Sequence, residues 1–178
     1  ELLSSHGIDY EIIDVEPSND LNDYFEDNFD LRKSKLSHFP GNLPNKDVKL
    51  SEISLAYKHV VALEKMISAG HETSLFLEDD VFLCDSFTSI ANMFLKSTPP
   101  DWDMIFPGSG CNLRIDPRLI RKNQWAYRKD HPATKCTDSY FIKLDAAKKL
   151  LSTIKPFSMA IDWELNYQLM KHDLKVYW

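Results

Sequence analysis

Glycine, proline and cysteine are scarce in this sequence of 178 residues, which has five Gly, nine Pro and three Cys. A chain with so few turn-forming residues does not suit an all-β fold built from many short strands. The cysteines, Cys84, Cys111 and Cys136, form no C-x-x-C pair, which excludes a zinc knuckle and a thioredoxin motif. We expect buried free thiols in a reducing compartment, although the spacing also permits one disulfide.

Long apolar runs are missing as well. No run approaches the roughly 18–20 residues of a membrane span, and no signal peptide is visible. We therefore expect a cytoplasmic protein without a transmembrane segment, which leaves room for a peripheral contact with a membrane. The chain begins at Glu1 without a Met, so a lost leader for the ER lumen stays an alternative.

The charge is unevenly distributed. The whole chain has a net charge of -6, yet residues 1–30 hold ten acids and no Lys or Arg, so the remainder is mildly basic. Nucleic acid is not an expected partner, because phosphate binding needs a net basic footprint. The basic residues between 114 and 135 form either a solvated face or a site for a diphosphate or an anionic acceptor.

Hydrophobic periodicity predicts strands that alternate with helices. We predict strands over 10–15, 74–77, 103–106, 139–144 and 174–178, and helices over 51–69, 85–96, 145–154 and 160–171. Residues 16–49 read as a long loop with one helical turn, and 111–135 as irregular. This alternation favours one domain with an α/β sandwich and a mostly parallel sheet.

Three adjacent carboxylates, Glu78, Asp79 and Asp80, follow the apolar run 74–77. Two charges about 5 Å apart at an effective dielectric of about 20 repel by roughly 3 kcal/mol, and a divalent cation reverses that sign. We expect the triplet at the carboxyl end of a central strand, where open α/β sheets bind ligands, and Mg²⁺ or Mn²⁺ prefers such oxygen ligands. An exposed acidic turn is the alternative.

A second acidic pair, Asp162 and Glu164, begins an otherwise apolar helix. Either the helix dipole favours these acids in the first turn, or one of them is a general base. Because they lie two residues apart, they point about 200° away from each other on a helix. We expect Asp162 to be the base and Glu164 to face solvent or to cap the helix. His59, in an apolar helix, is interpreted as a structural group.

Six segments occur in an order that resembles glycosyltransferase family 25. They are E-I-S-L-A-Y-K-H (52–59), S-L-F-L-E-D-D-V (74–81), D-W-D-M-I-F (101–106), C-T-D-S-Y-F-I (136–142), A-A-K-K-L-L (146–151) and I-D-W-E-L (161–165). The family includes bacterial lipooligosaccharide galactosyltransferases and the galactosyltransferase domains that modify collagen hydroxylysine. The resemblance covers nearly the whole chain, with Ser54 and Lys58 standing where the family usually has Gly and Ser.

The resemblance implies a GT-A fold, a Rossmann-like three-layer sandwich, and inverting transfer of galactose or glucose from a UDP-sugar. The acceptor would be a hydroxyl of a glycan, a lipooligosaccharide or a protein. The resemblance assigns Mn²⁺ or Mg²⁺ to Asp80 with Glu78, and acceptor-side catalysis to Asp162 and Glu164. The donor would contact Glu78, Asp79, Thr137, Asp138 and Tyr140.

The resemblance also implies that residues 1–178 are one transferase domain without its first strand and its C-terminal end. Two other functions stay open. One is a catalytically idle domain of the same fold that serves as a binding or scaffold module. The other is a metal-dependent nucleotidyltransferase, which would need a Gly-rich phosphate loop with a Lys, and the sequence has none.

Overall fold

The computed structural model describes residues 2–17, 20–39, 47–108, 110, 113–134 and 136–178. The described residues form six α-helices and five β-strands. The helices are α1 (Leu2–Ser5), α2 (Leu21–Asn28), α3 (Leu50–Ala69), α4 (Phe87–Ser97), α5 (Leu144–Thr153) and α6 (Ile161–Lys171). The strands are β1 (Thr73–Leu77), β2 (Met104–Ile105), β3 (Arg128–Lys129), β4 (Ser139–Lys143) and β5 (Val176–Tyr177).

The five strands form one mixed sheet in the order β1-β4-β2-β5-β3. The β2–β5 pair is parallel, and the other three pairs are antiparallel. The α/β class is confirmed, but the prediction of a mostly parallel sheet is wrong. β4 runs antiparallel to β2, so it starts at the edge of the sheet where β2 ends.

Helices cover both faces of the sheet, and β4 shows how. Tyr140 and Ile142 point into a core shared with α3, α5 and α6. Phe141, between them, packs with residues of α4 on the opposite face. Successive side chains of a strand alternate between faces, so a strand buried on both sides is apolar throughout its middle.

Helix α3 is long and carries His59. Its start is stabilised by Glu52, whose carboxylate accepts a hydrogen bond of 2.7 Å from the Lys49 N–H. It ends at Gly70, whose φ of 69° lies in the left-handed region that glycine adopts without steric cost. The predicted stop at Gly70 is confirmed.

Other predicted elements differ from the structure. The predicted strand over 10–15 is irregular, and its Ile12 is 71% exposed, with no partner strand for this segment among the described residues. The predicted loop over 16–49 contains α2, where the Asp20 carboxylate accepts hydrogen bonds from the backbone N–H groups of Asn22 and Asp23. The prediction for 111–135 missed β3, which is only two residues long.

The expectation of buried free thiols is wrong for the two cysteines that can be compared, and the alternative of a disulfide applies to Cys136. Cys84 is free but exposed, and Cys136 is disulfide-bonded. Cys111 lies outside the described residues. The cysteines therefore give no support to a reducing compartment. None of the described helices is long and apolar enough to cross a bilayer.

Candidate functional site

The carboxyl end of β1 and the amino end of β4 meet at one edge of the sheet. The two strands are antiparallel and pair Leu77 with Ser139. Immediately beyond this pair, the Glu78 N–H donates a hydrogen bond of 2.9 Å to the Asp138 carbonyl. The acidic triplet and the 136–142 segment, 59 residues apart along the chain, are therefore adjacent. β1 is the edge strand of the described sheet, so the expectation that it is central is wrong.

Thr137 joins two of the predicted site acids. Its hydroxyl oxygen lies 2.7 Å from Glu78 Oε1 and 2.7 Å from Asp162 Oδ1. A hydroxyl has one proton to donate, so it donates to only one carboxylate at a time. The other contact is a hydrogen bond when that carboxyl group carries a proton. Thr137 is 2% exposed, so its hydroxyl makes these contacts shielded from bulk water.

His59 extends the cluster toward the protein interior. Its Nε2 lies 3.5 Å from Glu78 Oε1, and its Nδ1 lies 2.8 Å from the Tyr140 hydroxyl. The interpretation of His59 as a purely structural group missed this contact with a site acid. The signal that could have found it is the first of the six segments, which ends at His59.

Tyr140 is the inner end of this chain of contacts. It is 1% exposed and its ring stacks on Phe76, with centroids 4.9 Å apart. Burial, with the nearby Glu78 carboxylate, raises the pKa of the Tyr140 hydroxyl well above its usual value. The Tyr140 hydroxyl therefore stays neutral, and its contact with Nδ1 fixes the orientation of the His59 ring.

The two acids at this edge have pKa values shifted in opposite directions. The hydrogen bond with His59 lowers the pKa of Glu78, with a further contribution from Thr137, although burial opposes both. Burial, and then the charge of Glu78, raises the pKa of Asp138. Neighbouring acids whose pKa values are separated in this way are typical of sites that do chemistry.

Asp138 also has an unused oxygen. Its Oδ1 is buried and has no hydrogen-bond partner among the described residues, while Oδ2 lies 3.4 Å from the Ser139 hydroxyl. Gly108 packs against this carboxylate, since a Cβ at that position would lie 3.0 Å from Asp138 Oδ2 and 2.4 Å from Ser139 Oγ. A buried acceptor without a donor is costly, so this oxygen is a place where a ligand gains binding energy.

The backbone before Thr137 is constrained. Cys136 has a φ of 72°, in the left-handed region that costs a non-glycine residue roughly 1–2 kcal/mol. The same residue is disulfide-bonded. A covalent link and a strained residue thus fix the position from which the Thr137 hydroxyl reaches both acids.

Asp79 and Asp80 lie in the turn after Glu78 and are exposed. Within the described part of the chain, no group of three or more His, Cys, Asp or Glu side chains comes together as a metal site. Mg²⁺, however, usually binds proteins through one or two carboxylates and takes its other ligands from substrate phosphates and water. The exposed Asp80 and the unpartnered Asp138 oxygen fit that second arrangement, with hard oxygen donors on both.

Asp162 and Glu164 do face different surroundings, as their spacing predicts. Asp162 is partly exposed and belongs to the first turn of α6, whose N-cap is Ala160. Its carboxylate is therefore not the N-cap group, and it contacts Thr137 instead.

Glu164 is completely buried and does not face solvent or cap the helix, so that expectation is wrong. Its Oε1 accepts hydrogen bonds from Lys35 Nζ at 2.5 Å and from Gln168 Nε2 at 2.9 Å. Its Oε2 accepts a hydrogen bond of 3.1 Å from the Ser158 N–H. These contacts tie α6 to the segment around Lys35.

The comparison with known families gives one result. A family model described as glycosyltransferase family 25 (LPS biosynthesis protein) matches residues 1–165. No curated protein matches the chain. The matched range includes both acidic motifs and Thr137.

Proposed function

The chain belongs to glycosyltransferase family 25, and from that premise we propose that it transfers galactose or glucose from a UDP-sugar to an acceptor hydroxyl with inversion. The acceptor is a glycan, a lipooligosaccharide or a protein. The observation that carries the proposal is the Thr137 hydroxyl, 2.7 Å from both Glu78 and Asp162. Through this hydroxyl, the partly exposed Asp162 carboxylate is joined to Glu78. Both acids lie beside the sheet edge where we expect a family member to hold the donor.

Asp162 is the general base of the proposed reaction. Inversion by direct displacement needs the acceptor hydroxyl to lose its proton as it attacks the anomeric carbon, and a positioned base supplies about 10²–10⁴-fold. Once Asp162 holds that proton, it donates to Thr137 Oγ1, and the Thr137 proton turns to Glu78 Oε1. The 2.7 Å contacts on both sides of Thr137 are both satisfied in that state.

Glu78 and Asp138 are the donor-side acids. The lowered pKa of Glu78 keeps it ionised, so it can accept a hydrogen bond from a ribose hydroxyl while His59 and Thr137 hold its Oε1. The buried Asp138 Oδ1 accepts a hydrogen bond from a hydroxyl of the UDP-sugar or contacts a cation. Asp79 supports the turn. Tyr140, 1% exposed, acts on the donor only through His59.

A hard divalent cation, Mn²⁺ or Mg²⁺, belongs to the proposal. Asp80 would hold it, together with the unpartnered Asp138 Oδ1 or with Glu78, whose Oε1 is already engaged by Thr137 and His59. When bound, such an ion supplies Lewis-acid neutralisation of the departing diphosphate.

The test is a donor assay on the full chain. We would incubate the protein with radiolabelled UDP-galactose or UDP-glucose, with and without Mn²⁺, and score release of UDP and transfer to a truncated lipooligosaccharide or a collagen peptide. Asp162→Asn is the control that must lose turnover. Tight UDP-sugar binding without any hydrolysis or transfer would favour a catalytically idle domain. Absence of binding and of turnover would reject the proposal.

A further inference from the structure

A basic cavity lies beside β3, at the end of the sheet away from β1. Its volume is about 420 Å³, which falls within the range of small-molecule sites. Four cationic side chains line it, and they are Arg114, Arg121, Arg128 and Lys129. Asp116 is the one carboxylate among the described residues of the lining, which therefore carry an excess of positive charge.

The charge of Asp116 is already neutralised by a residue outside the lining. Arg118 Nη2 lies 2.5 Å from Asp116 Oδ2, and Arg118 Nε is 3.0 Å from the same carboxylate. None of the four lining cations forms an ion pair with a carboxylate of the described residues. Arginine side chains with unused donors, grouped around a cavity, are suited to bidentate binding of a phosphate or a carboxylate.

The cavity wall is held by the sheet. The Tyr127 hydroxyl accepts a hydrogen bond of 2.7 Å from the Arg121 N–H. The Tyr127 backbone pairs with Trp178 through hydrogen bonds of 2.9 and 3.0 Å. Lys129 Nζ lies 4.3 Å from the centroid of the Trp178 ring. The cations therefore project from a β-edge and a braced loop, which lowers the entropy lost when they bind an anion.

The start of β3, which lines the cavity, lies at the same edge of the sheet as the acidic site. β3 is antiparallel to β5, and β5 is parallel to β2, so β3 begins at the edge where Glu78 and Asp138 lie. β3 is three strand spacings from β4, which is about 15 Å. A short oligosaccharide is long enough to cross a separation of this size.

We propose that the cavity beside β3 binds a phosphate or carboxylate group of the acceptor, at a distance from the hydroxyl that reacts. The role as an acceptor subsite rests on the proposed transferase function. The presence of an anion site does not, because it depends only on the four cations and the cavity. The acceptor class is then a negatively charged glycan.

Binding is tested first, without any need for turnover. Calorimetry on the full chain would titrate inorganic phosphate and, separately, glucuronate. We expect an Arg114→Gln/Arg121→Gln double variant to weaken binding by about tenfold or more, the effect of losing one or two charge-assisted hydrogen bonds. Lys122→Gln is the matched control, because Lys122 is exposed in the same segment and does not line the cavity. Equal affinity in the double variant and the control overturns the proposal.

Transfer is tested second, with a lipooligosaccharide core before and after chemical removal of its phosphates, and with a core whose acidic sugars are carboxyl-reduced. The double variant should have a kcat/KM about tenfold lower than wild type on the charged core whose anion is recognised. On the neutralised core its kcat/KM should change little. Its KM for UDP-sugar should be unchanged. A raised KM for UDP-sugar, with UDP displacing phosphate, would make the cavity a donor site and overturn the acceptor assignment. Phosphate binding that depends on the arginines, with no transfer to any acceptor, would support the anion site and reject the transferase.

Discussion

The hydroxyl of Thr137 lies 2.7 Å from a carboxylate oxygen of Asp162, which joins the amino end of β4 to the first turn of α6. The same hydroxyl reaches Glu78, at the end of β1. Three separate elements thus bring one hydroxyl and two partly exposed acids together, and His59 also contacts the Oε1 atom of Glu78. This arrangement makes Asp162 the natural position for a base that must receive a proton from an incoming molecule.

Asp162→Asn should lower kcat by about 10²–10⁴-fold and leave the affinity for UDP-sugar nearly unchanged. The side chain is partly exposed and is not the N-cap of α6, so the fold should be retained. Steady-state kinetics, with donor binding measured by calorimetry, check this. Full turnover by Asp162→Asn would show that the base is elsewhere.

Glu164→Gln should instead act on stability. It removes the charge that partners Lys35 in a site where the Glu164 side chain has no exposure, which costs about 3 kcal/mol. Glu11→Gln is the control, because it removes the partner of Lys65 in an exposed ion pair and should cost less than about 1 kcal/mol. Urea denaturation compares the two. A stable Glu164→Gln protein with no turnover would indicate that Glu164 is the general base.

The sequence predicts the parts of this site that depend on local patterns. The apolar run 74–77 predicts β1 and therefore the position of Glu78, and Gly70 predicts where α3 ends. The spacing of Asp162 and Glu164 predicts that they face different surroundings, as they do. All three inferences use only the geometry of one strand or one helix.

The errors concern relations between distant segments. The direction of β4 depends on the long irregular connection after β2, which has no periodic signal. The partner of Glu164 is Lys35, 129 residues away, and nothing in the local pattern of α6 indicates it. His59 looks like a core residue of α3, and its contacts with Glu78 and Tyr140 depend on how the helix packs against the sheet.

Thr137 offers a test that separates a hydroxyl role from a packing role. Thr137→Val removes the donor between Glu78 and Asp162 and should lower kcat by about ten- to a hundredfold, because two carboxylates then face each other without a hydrogen bond. Thr137→Ser keeps the hydroxyl and should retain most of the activity. Equal losses in both variants would mean that Thr137 acts through its shape alone. The pH profile of kcat, measured for all three proteins, should shift only in Thr137→Val.

Asp138→Asn should make the fold more stable at neutral pH. Burial raises the pKa of Asp138, so this group adds stability below its unfolded pKa and loses it as the pH rises through the folded pKa. The variant should therefore match wild type below the unfolded pKa of an aspartate, about 3.9, gain on it as the pH rises through the folded pKa, and keep a constant advantage above that. Urea denaturation across that range measures the difference. A variant that is less stable than wild type at pH 7.5 would contradict the conclusion that the buried Oδ1 of Asp138 has no stabilising partner.

The same variant should bind UDP-sugar more weakly, by about tenfold or more. A residue that lowers stability and raises affinity is typical of a binding site. Ser152→Ala, a change in an exposed hydroxyl that bonds to the Lys149 carbonyl, is a control that should alter neither property appreciably. Unchanged binding of UDP-sugar by Asp138→Asn would remove Asp138 from the donor site.

Asp80→Ala should remove the dependence of UDP-sugar binding on Mn²⁺ while the fold survives. Asp80 is exposed and follows two other acids, so its loss relieves repulsion in the metal-free protein, and Tm should stay within about 2 °C of wild type. Calorimetry with UDP-galactose should then give the same weak affinity for wild type in EDTA and for Asp80→Ala in Mn²⁺. Asp85→Ala removes an exposed acid from the following loop and should keep the full response to Mn²⁺. Wild-type affinity that EDTA leaves unchanged would remove the cation from the proposal, and the diphosphate would then have to be neutralised by side chains alone.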